Sequence, residues 1–421
     1  MTPEVRDRIE QIRRGNVPEG YKKVGSDIIP SDWSKSPFSQ LGIISSGLVN
    51  PKEQPYFEMQ HIGPDNIEKD TGRILETQSA AELGLISGKF YFDSDSIVYS
   101  KIRPNLNKVC APHFEGICSA DCYSIKPTDK IDKAYLLNVM LGYSFYKRAV
   151  ECSMRTGMPK INQDDLNTIA MCYPKSIDEQ KKIAKILTTQ DKVIESKEKL
   201  LAEKQRQKKY LMQQLLTGKK RLPGFDGEWK NVGLNGVLLE RKEKNVDQDH
   251  RICSVAVQKG VVDQIEHLGR SYAAADTSNY GVAHYGDIIY TKSPTGDFPY
   301  GIIKQNQMHE DVAVSPLYGI YEPACYELGY ILHTYFSYAV NCSNYLLPII
   351  QKGAKNTINI SNDVFVSRPL YLPTDCEEQR ALAEIFITAD KEIALLCQDI
   401  EQENQKKKAL MQLLLTGIVR V

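Results

Sequence analysis

The chain has 421 residues, of which 42% are hydrophobic and 25% charged, a composition typical of folded globular domains. Its 53 basic and 53 acidic side chains balance, so the overall charge does not point to nucleic acid, and the distribution along the chain matters more. No stretch approaches 18 uncharged apolar residues, which excludes a membrane-spanning helix. The charged N-terminus does not resemble a signal peptide, so we expect a cytoplasmic protein.

Five segments follow one another along the chain. A helical extension is predicted for residues 1–29, a mixed α/β domain for 30–174 (domain 1), and a long helix with its linker for 175–221. A second mixed α/β domain is predicted for 222–373 (domain 2) and a second long helix for 374–421. Within domain 1, residues 97–101 read as a strand and 133–152 as a helical stretch.

The two halves of the chain repeat each other about 199 residues apart. Residues 179–187 reappear as 378–386, and residues 208–218 reappear as 407–417, with no insertion or deletion between them. The repeat continues more weakly inside the domains, where 97–101 corresponds to 288–292 and 133–152 to 326–345. A period this long exceeds any solenoid unit and indicates two whole domains, each followed by a long helix.

Apolar residues at heptad spacing mark both long helices and predict a coiled coil between them. The seam residues are Ile183, Leu187, Ile194, Leu201, Leu211 and Leu215 in the first helix and Leu382, Phe386, Ile393, Leu396, Ile400, Leu410 and Leu414 in the second. The polar residues Lys208 and Lys407 occupy equivalent positions and are expected to set the register. The alternative is that each stripe packs onto its own globular domain.

No catalytic or metal-binding pattern is present. The ten cysteines include no C-x-x-C pair and the seven histidines are scattered, so no metal site is predicted. A phosphate-binding loop, a nucleophile elbow and an H-E-x-x-H segment are all missing. We therefore expect no catalytic residue and no cofactor in this chain, and a recognition or assembly component is favoured over an enzyme with an unrecognised site.

Clusters of basic and amide residues follow the equivalent strands of the two domains. Residues 100–108 form loop 1, residues 291–300 form loop 2, and a glycine-containing segment lies further along each domain, at 155–162 and 352–359. Lys and Arg donate to guanine or phosphate and Asn pairs with adenine, whereas the alternative is an ordinary solvated turn. The predicted DNA-binding residues are Lys101, Arg103, Asn105, Asn107, Lys108, Arg155 and Lys160 in domain 1 and Lys292, Ser293, Thr295, Tyr300, Lys352, Lys355 and Asn356 in domain 2.

The organisation resembles that of the DNA specificity (S) subunits of type I restriction–modification systems, over essentially the whole chain. Both long helices end in Leu-Leu-Thr-Gly, the junction at 220–229 reads Lys-Arg-Leu-Pro-Gly-Phe-Asp-Gly-Glu-Trp, and domain 1 begins with Ile-Pro-Ser-Asp-Trp at 29–33. The runs at 101–105 and 286–294 look like two known subtypes of target recognition domain.

This resemblance implies an α+β protein with two mixed α/β target recognition domains, each followed by a long helix, the two helices pairing as an antiparallel coiled coil. It implies a non-catalytic subunit that binds double-stranded DNA at a bipartite asymmetric target. The implied partners are two methyltransferase subunits, which use S-adenosylmethionine, and restriction subunits, which use ATP and Mg²⁺. The alternative is a non-catalytic assembly scaffold with a coiled-coil core and no DNA specificity.

Overall fold

A computed structural model describes residues 2–153, 159–270, 275–352 and 358–421, with the backbone alone for 268, 351–352 and 358–359. These residues form two compact units. Unit 1 contains Met1–Glu198 and Asp399–Val421, and unit 2 contains Lys199–Gln398. Both long helices therefore contribute residues to each unit.

Unit 1 begins with a short helix that contains no buried residue, α1 (Pro3–Arg13), capped by the Thr2 hydroxyl and started by Pro3. The other elements up to the first long helix are β1 (Tyr21–Val24), β2 (Asp27–Pro30), β3 (Trp33–Pro37), β4 (Gly42–Ile44), β5 (Gln60–Ile62), β6 (Gln78–Ser79), β7 (Phe90–Phe92), β8 (Ile97–Ser100), β9 (Val109–Cys110), β10 (Gly116–Cys118), β11 (Cys122–Pro127), α2 (Lys133–Leu141), α3 (Tyr143–Ser153), α4 (Gln163–Thr168) and β12 (Ala170–Pro174). The first long helix is α5 (Ile177–Leu215).

Unit 1 contains two four-stranded sheets, in the orders β6-β5-β10-β7 and β4-β11-β8-β9. Strands β5 and β10 are parallel and the other pairs antiparallel, and β3 pairs with β12 in a separate ribbon. The main core packs the helices α2 and α3 against the second sheet around fully buried side chains such as Trp33, Phe38 and Tyr99. Burial of such apolar surface is the main favourable term in folding.

Unit 2 contains a second set of strands and helices. They are β13 (Lys230–Gly233), β14 (Leu238–Glu240), β15 (Arg251–Ala256), β16 (Gly260–Asp263), α6 (Gln264–Leu268), β17 (Gly281–Ala283), β18 (Ile288–Tyr290), β19 (Ile303–Gln305), β20 (Val312–Val314), β21 (Gly319–Pro323), α7 (Tyr326–Phe336), α8 (Ala339–Leu346), β22 (Gln351–Lys352), β23 (Ile358–Asn359), α9 (Asn362–Ser367), β24 (Pro369–Leu372) and the second long helix α10 (Cys376–Leu414).

The sheets of unit 2 repeat those of unit 1 strand by strand. Their orders are β14-β21-β18-β19 and β16-β15-β20-β17, and β13 pairs with β24 in a ribbon equivalent to β3-β12. The one parallel pair recurs too, since β15 and β20 take the places of β5 and β10. The predicted fold class is confirmed, with two mixed α/β parts and two long helices that pack together.

Both helical stretches predicted inside the domains are confirmed, but a break divides each of them into two helices. Residues 133–152 form α2 and α3, and residues 326–345 form α7 and α8. Gly142 interrupts the first with an extended backbone (φ −70°, ψ 149°), and Tyr338 interrupts the second (φ −97°, ψ 116°). Helical periodicity continued across both breaks because each pair of helices packs its apolar face on the same core.

The long helices run antiparallel where they meet in each unit. In unit 1, Lys407 pairs with Asp191 at 2.6 Å and Lys197 with Asp399 at 2.8 Å. In unit 2, Lys204 pairs with Glu392 at 2.7 Å and Lys208 with Asp390. Residue numbers thus fall along α10 as they rise along α5. Lys208 and Lys407, predicted to be equivalent, also bind equivalent partners, because Asp191 and Asp390 lie 199 residues apart.

Some predicted seam residues pack on a globular core and others lie between the two long helices, so both packing alternatives apply in part. Ile183, Leu187 and Leu414 are buried in the main core of unit 1, with Leu410 packed against it, so these ends of the helices serve a globular domain. Leu215, Leu382 and Phe386 form a cluster with Trp229 in unit 2, with Leu211 packed against it. The remaining positions are the buried Ile194 and the half-buried Leu201, Ile393, Leu396 and Ile400.

A buried glutamate in the first turn of each long helix is neutralised by an arginine that follows the other long helix. In unit 1 the Arg420 guanidinium donates to Glu179 at 2.6 Å and to Asp32 at 2.7 Å. In unit 2 the Arg221 guanidinium donates two hydrogen bonds of 2.7 Å to Glu378. The side chains of Glu179 and Glu378 are only 9% and 2% exposed. A buried charge of this kind must be paired.

A tryptophan and a left-handed glycine accompany each arginine–glutamate pair. Trp229 donates its indole N–H to Glu378 at 3.0 Å. A side chain at Gly218 (φ 68°) would meet the ring of Trp229, and one at Gly417 (φ 71°) would meet the ring of Trp33. Glycine adopts this backbone conformation at low cost, and so ends both helices. In unit 1, Tyr21 of the predicted N-terminal extension also donates its hydroxyl to the Gly417 carbonyl at 2.7 Å.

The substitution Arg221→Ala is expected to destabilise unit 2 by about 3 kcal/mol, because it leaves the buried Glu378 carboxylate with the Trp229 N–H alone. Urea unfolding of the full chain measures this loss. Arg380→Ala is the matched control, since Arg380 forms an exposed ion pair with Glu377 within α10, the helix that also carries Glu378. That substitution should cost less than about 1 kcal/mol. Equal losses in the two variants would contradict the proposed importance of the buried pair.

Candidate nucleic-acid interface

Near its start, loop 1 contains a half-buried lysine held over two aromatic rings. The ammonium of Lys101 lies 5.2 Å from the ring centroid of Tyr123 and 6.0 Å from that of Phe90. Burial lowers the pKa of Lys101, and the nearby Lys160 lowers it further. The faces of aromatic rings attract cations, so the two rings fix the position of this charge at the end of β8. The sequence prediction missed both rings, because they come from other strands.

A second segment of domain 1 crosses loop 1 and adds another cation. The Arg103 amide donates to the Pro159 carbonyl at 2.8 Å, and the Ile161 amide donates to the Lys101 carbonyl at 2.9 Å. This short antiparallel bridge places Lys160 opposite Ile102, between the two loop cations. The structure therefore brings together three predicted DNA-binding residues, of which Arg103 and Lys160 are exposed.

A tight turn with a left-handed residue on each side forms the centre of loop 1. Arg103 (φ 47°) and Asn107 (φ 44°) flank the 3-10 turn Pro104–Leu106. Left-handed conformations are costly for a residue such as arginine and tend to persist at functional sites, where the surroundings impose them. Asn105, at the middle of the turn, is exposed, as its predicted role requires.

The other two predicted residues of loop 1 are used inside the protein. Asn107 is buried, and its side-chain amide donates to the Leu141 carbonyl at 3.1 Å, so it supports the loop and does not face a ligand. The predicted DNA contact of Asn107 is therefore not compatible with its burial. Lys108 is half-buried, and its ammonium donates to the Pro64 carbonyl at 2.6 Å.

Loop 2 follows the equivalent strand of unit 2 but uses its lysine differently. The ammonium of Lys292 donates to the Asn362 side chain, and burial lowers the pKa of Lys292. Ser293 and Thr295 are exposed, whereas Tyr300 is half-buried and packs against the core of unit 2. Asn362 was not predicted, because it lies 70 residues from Lys292 along the chain and only the fold joins them.

The remaining predictions fall at or beyond the edge of the described residues. Arg155, Lys355 and Asn356 lie outside them, and of Lys352 only the backbone in β22 is described. Within the described ranges, no three His, Cys, Asp or Glu side chains are grouped so that they could hold a metal ion. No helix in the described part of the chain has the length and apolar character needed to cross a membrane.

Comparison with known proteins identifies the region that contains loop 1. Residues 45–205 match the family "Type I restriction modification DNA specificity domain". This match confirms, for residues 45–205, the resemblance noted from the sequence. The matched region includes Lys101, Arg103 and Lys160.

One relative and two solved structures extend the comparison. A stretch of 172 residues, 41% of this chain, is 37% identical to the specificity subunit of the Escherichia coli type I restriction enzyme EcoDI, and spans 36% of the length of that protein. The S subunit of a type I system from M. genitalium covers 93% of this chain and 98% of its own, at 13% identity and a TM-score of 0.58. A second structure, from a study of complex assembly and conformational transition of the type I system, covers 93% of this chain and 99% of its own. Its identity to this chain is 15% and its TM-score is 0.56. These two likenesses concern the fold.

Truncation of Asn107 is expected to lower the stability of the chain, whereas truncation of Asn105 is not. Asn107→Ala should destabilise the chain by about 2–3 kcal/mol, because it removes a buried hydrogen bond and places alanine in a left-handed conformation. Asn105→Ala, two residues away and exposed, should change stability by no more than about 0.5 kcal/mol. Thermal unfolding of both variants checks this, and a stable Asn107→Ala variant would show that Asn107 does not support loop 1.

Proposed function

We propose that this chain is the DNA-specificity subunit of a type I restriction–modification complex. The observation that carries the proposal is the convergence of Lys101, Arg103 and Lys160 at the end of β8, inside the region that matches the DNA specificity family. Lysine and arginine donate to phosphate oxygens and to guanine in the major groove. The chain as a whole is neutral, so DNA binding would rest on such local groups.

Two domains of one topology suit a target with two halves. In this proposal domain 1 reads one half of a bipartite asymmetric site and domain 2 reads the other, with the paired long helices between them setting the unspecified gap. The strand orders recur while loops 1 and 2 differ in charge, as expected if a common scaffold carries two different readers. Linking two readers raises the affinity only for sites that both can engage at once.

Methylation and cleavage would belong to partner subunits. The proposed partners are two methyltransferase subunits, which would bring S-adenosylmethionine, and restriction subunits, which would bring ATP and Mg²⁺. This chain would select the DNA sequence and hold those subunits on it. The proposal thus assigns it a non-catalytic role, with double-stranded DNA as its target.

The substitution Arg103→Ala tests the proposal through salt-dependent DNA binding of the complex with its methyltransferase partner. If Arg103 contacts a base, affinity for the cognate site should fall by about 1–3 kcal/mol and one position should lose its specificity. If Arg103 contacts phosphate, binding should weaken for all sequences and the dependence on salt should become shallower. Lys130→Ala is the control, since Lys130 is an exposed cation of domain 1 outside loop 1.

An unchanged affinity and salt dependence in Arg103→Ala would remove Arg103 from the interface. The same result in a variant lacking the cations of Lys101, Arg103 and Lys160 together would contradict a DNA-binding role for loop 1. A complex that forms but has no sequence preference would favour an assembly scaffold instead.

A further inference from the structure

Loop 2 is closed at its base by contacts between the strands that flank it. The Thr291 amide donates to the Ile302 carbonyl, and the Ile302 amide donates to the Thr291 hydroxyl, both at 3.0 Å. The Tyr290 hydroxyl donates to the Tyr300 carbonyl at 2.7 Å. A side chain at Gly301 (φ 101°) would come within 3.0 Å of the Lys292 backbone, so only glycine allows this approach. The loop leaves the sheet in one defined direction.

The tip of loop 2 is a tight turn with a buried anchor. Thr295 and Phe298 exchange backbone hydrogen bonds of 3.0 and 2.9 Å, which leaves Gly296 and Asp297 as the two central residues. Gly296 has φ 52°, as two-residue hairpin turns require at this position. The Phe298 ring is buried in the main core of unit 2. A turn fixed in this way presents its exposed side chains with little freedom.

A side-chain network holds the loop from the side. Lys292 donates to the Asn362 oxygen, and the Asn362 amide donates to Glu240 of β14. The ammonium of Lys292 is thereby engaged within the protein, although Lys292 follows its strand just as Lys101 does in unit 1. The exposed side chains at the tip are therefore the better candidates for contact with DNA.

Asp297 is exposed at that tip, and among the described residues its carboxylate has no hydrogen-bond or ion-pair partner. A carboxylate only accepts hydrogen bonds and is repelled by phosphate. In the major groove, the groups that donate are the cytosine N4 and adenine N6 amino groups. Adenine also presents the N7 acceptor beside N6, and this lone pair repels the second oxygen of a carboxylate, which is an acceptor too. Cytosine presents no such acceptor, so it is the base that a carboxylate fits.

We propose that loop 2 reads a cytosine in the half-site of domain 2, with the Asp297 carboxylate accepting a hydrogen bond from the N4 amino group in the major groove. This inference rests on the proposed function, and it names one specified base pair and the residue that specifies it. The contacts of the loop base and of the Lys292–Asn362–Glu240 network hold the turn in place for this contact.

The test is methylation-site mapping with Asp297→Asn in the complex with the methyltransferase partner. The wild-type target should contain a specified C·G pair whose discrimination falls about 5- to 150-fold in the variant. The preference should shift towards A·T, because an amide pairs with adenine N6 and N7. The other half-site and the gap should not change. Asp247→Asn, which removes the same charge from an exposed site of domain 2 outside loop 2, should leave the target unchanged.

The outcomes separate the inference from the function on which it rests. Wild-type methylation at a split target, together with an unaltered target and rate in Asp297→Asn, would overturn the role of Asp297 and leave the proposed function standing. A change in both half-sites would also overturn it. A wild-type complex that forms without any sequence-dependent methylation would overturn the proposed function itself.

Discussion

Pairing of a buried carboxylate with an arginine distant in sequence is the constraint on which both units depend. Glu179 and Glu378 each begin a long helix, and each is neutralised by an arginine beyond the end of the other helix. In unit 1, Asp32 and Glu179 are paired by Arg420, which lies 388 residues after Asp32 along the chain. Unit 2 consists of one continuous segment, Lys199–Gln398.

The repeat preserves what holds each unit together and changes what each unit displays. Trp33 and Trp229, the two arginine–glutamate pairs, and the Lys208–Asp390 and Lys407–Asp191 pairs recur in equivalent places. Loops 1 and 2, which follow the equivalent strands β8 and β18, expose different side chains. Loop 1 gathers exposed cations from two segments, whereas loop 2 keeps its lysine inside the protein and exposes a turn with an aspartate. Under the proposed function, the two halves of the target would be read by different chemistry.

Much of the fold could be predicted from the sequence because its signals are local or repeated. The heptad stripes predicted the long helices to within a few residues, and the 199-residue offset predicted a repeated scaffold. The breaks at Gly142 and Tyr338 were missed because the apolar pattern continues through them. The burial of Asn107 could not be predicted, since its partner Leu141 is brought near only by the packing of α2 against loop 1. The same holds for Lys292 and Asn362.

The proposed role of domain 1 as an independent reader of half the target can be tested by exchanging the domain. Residues 30–174 would be replaced by the corresponding residues of a related specificity subunit, and methylated sites would be mapped for the parent and exchanged complexes in a methylation-free host. The account predicts a split target in the parent, and an exchanged chain that alters one half and keeps the other half and the gap. A target that changed in both halves, or in neither, would contradict it.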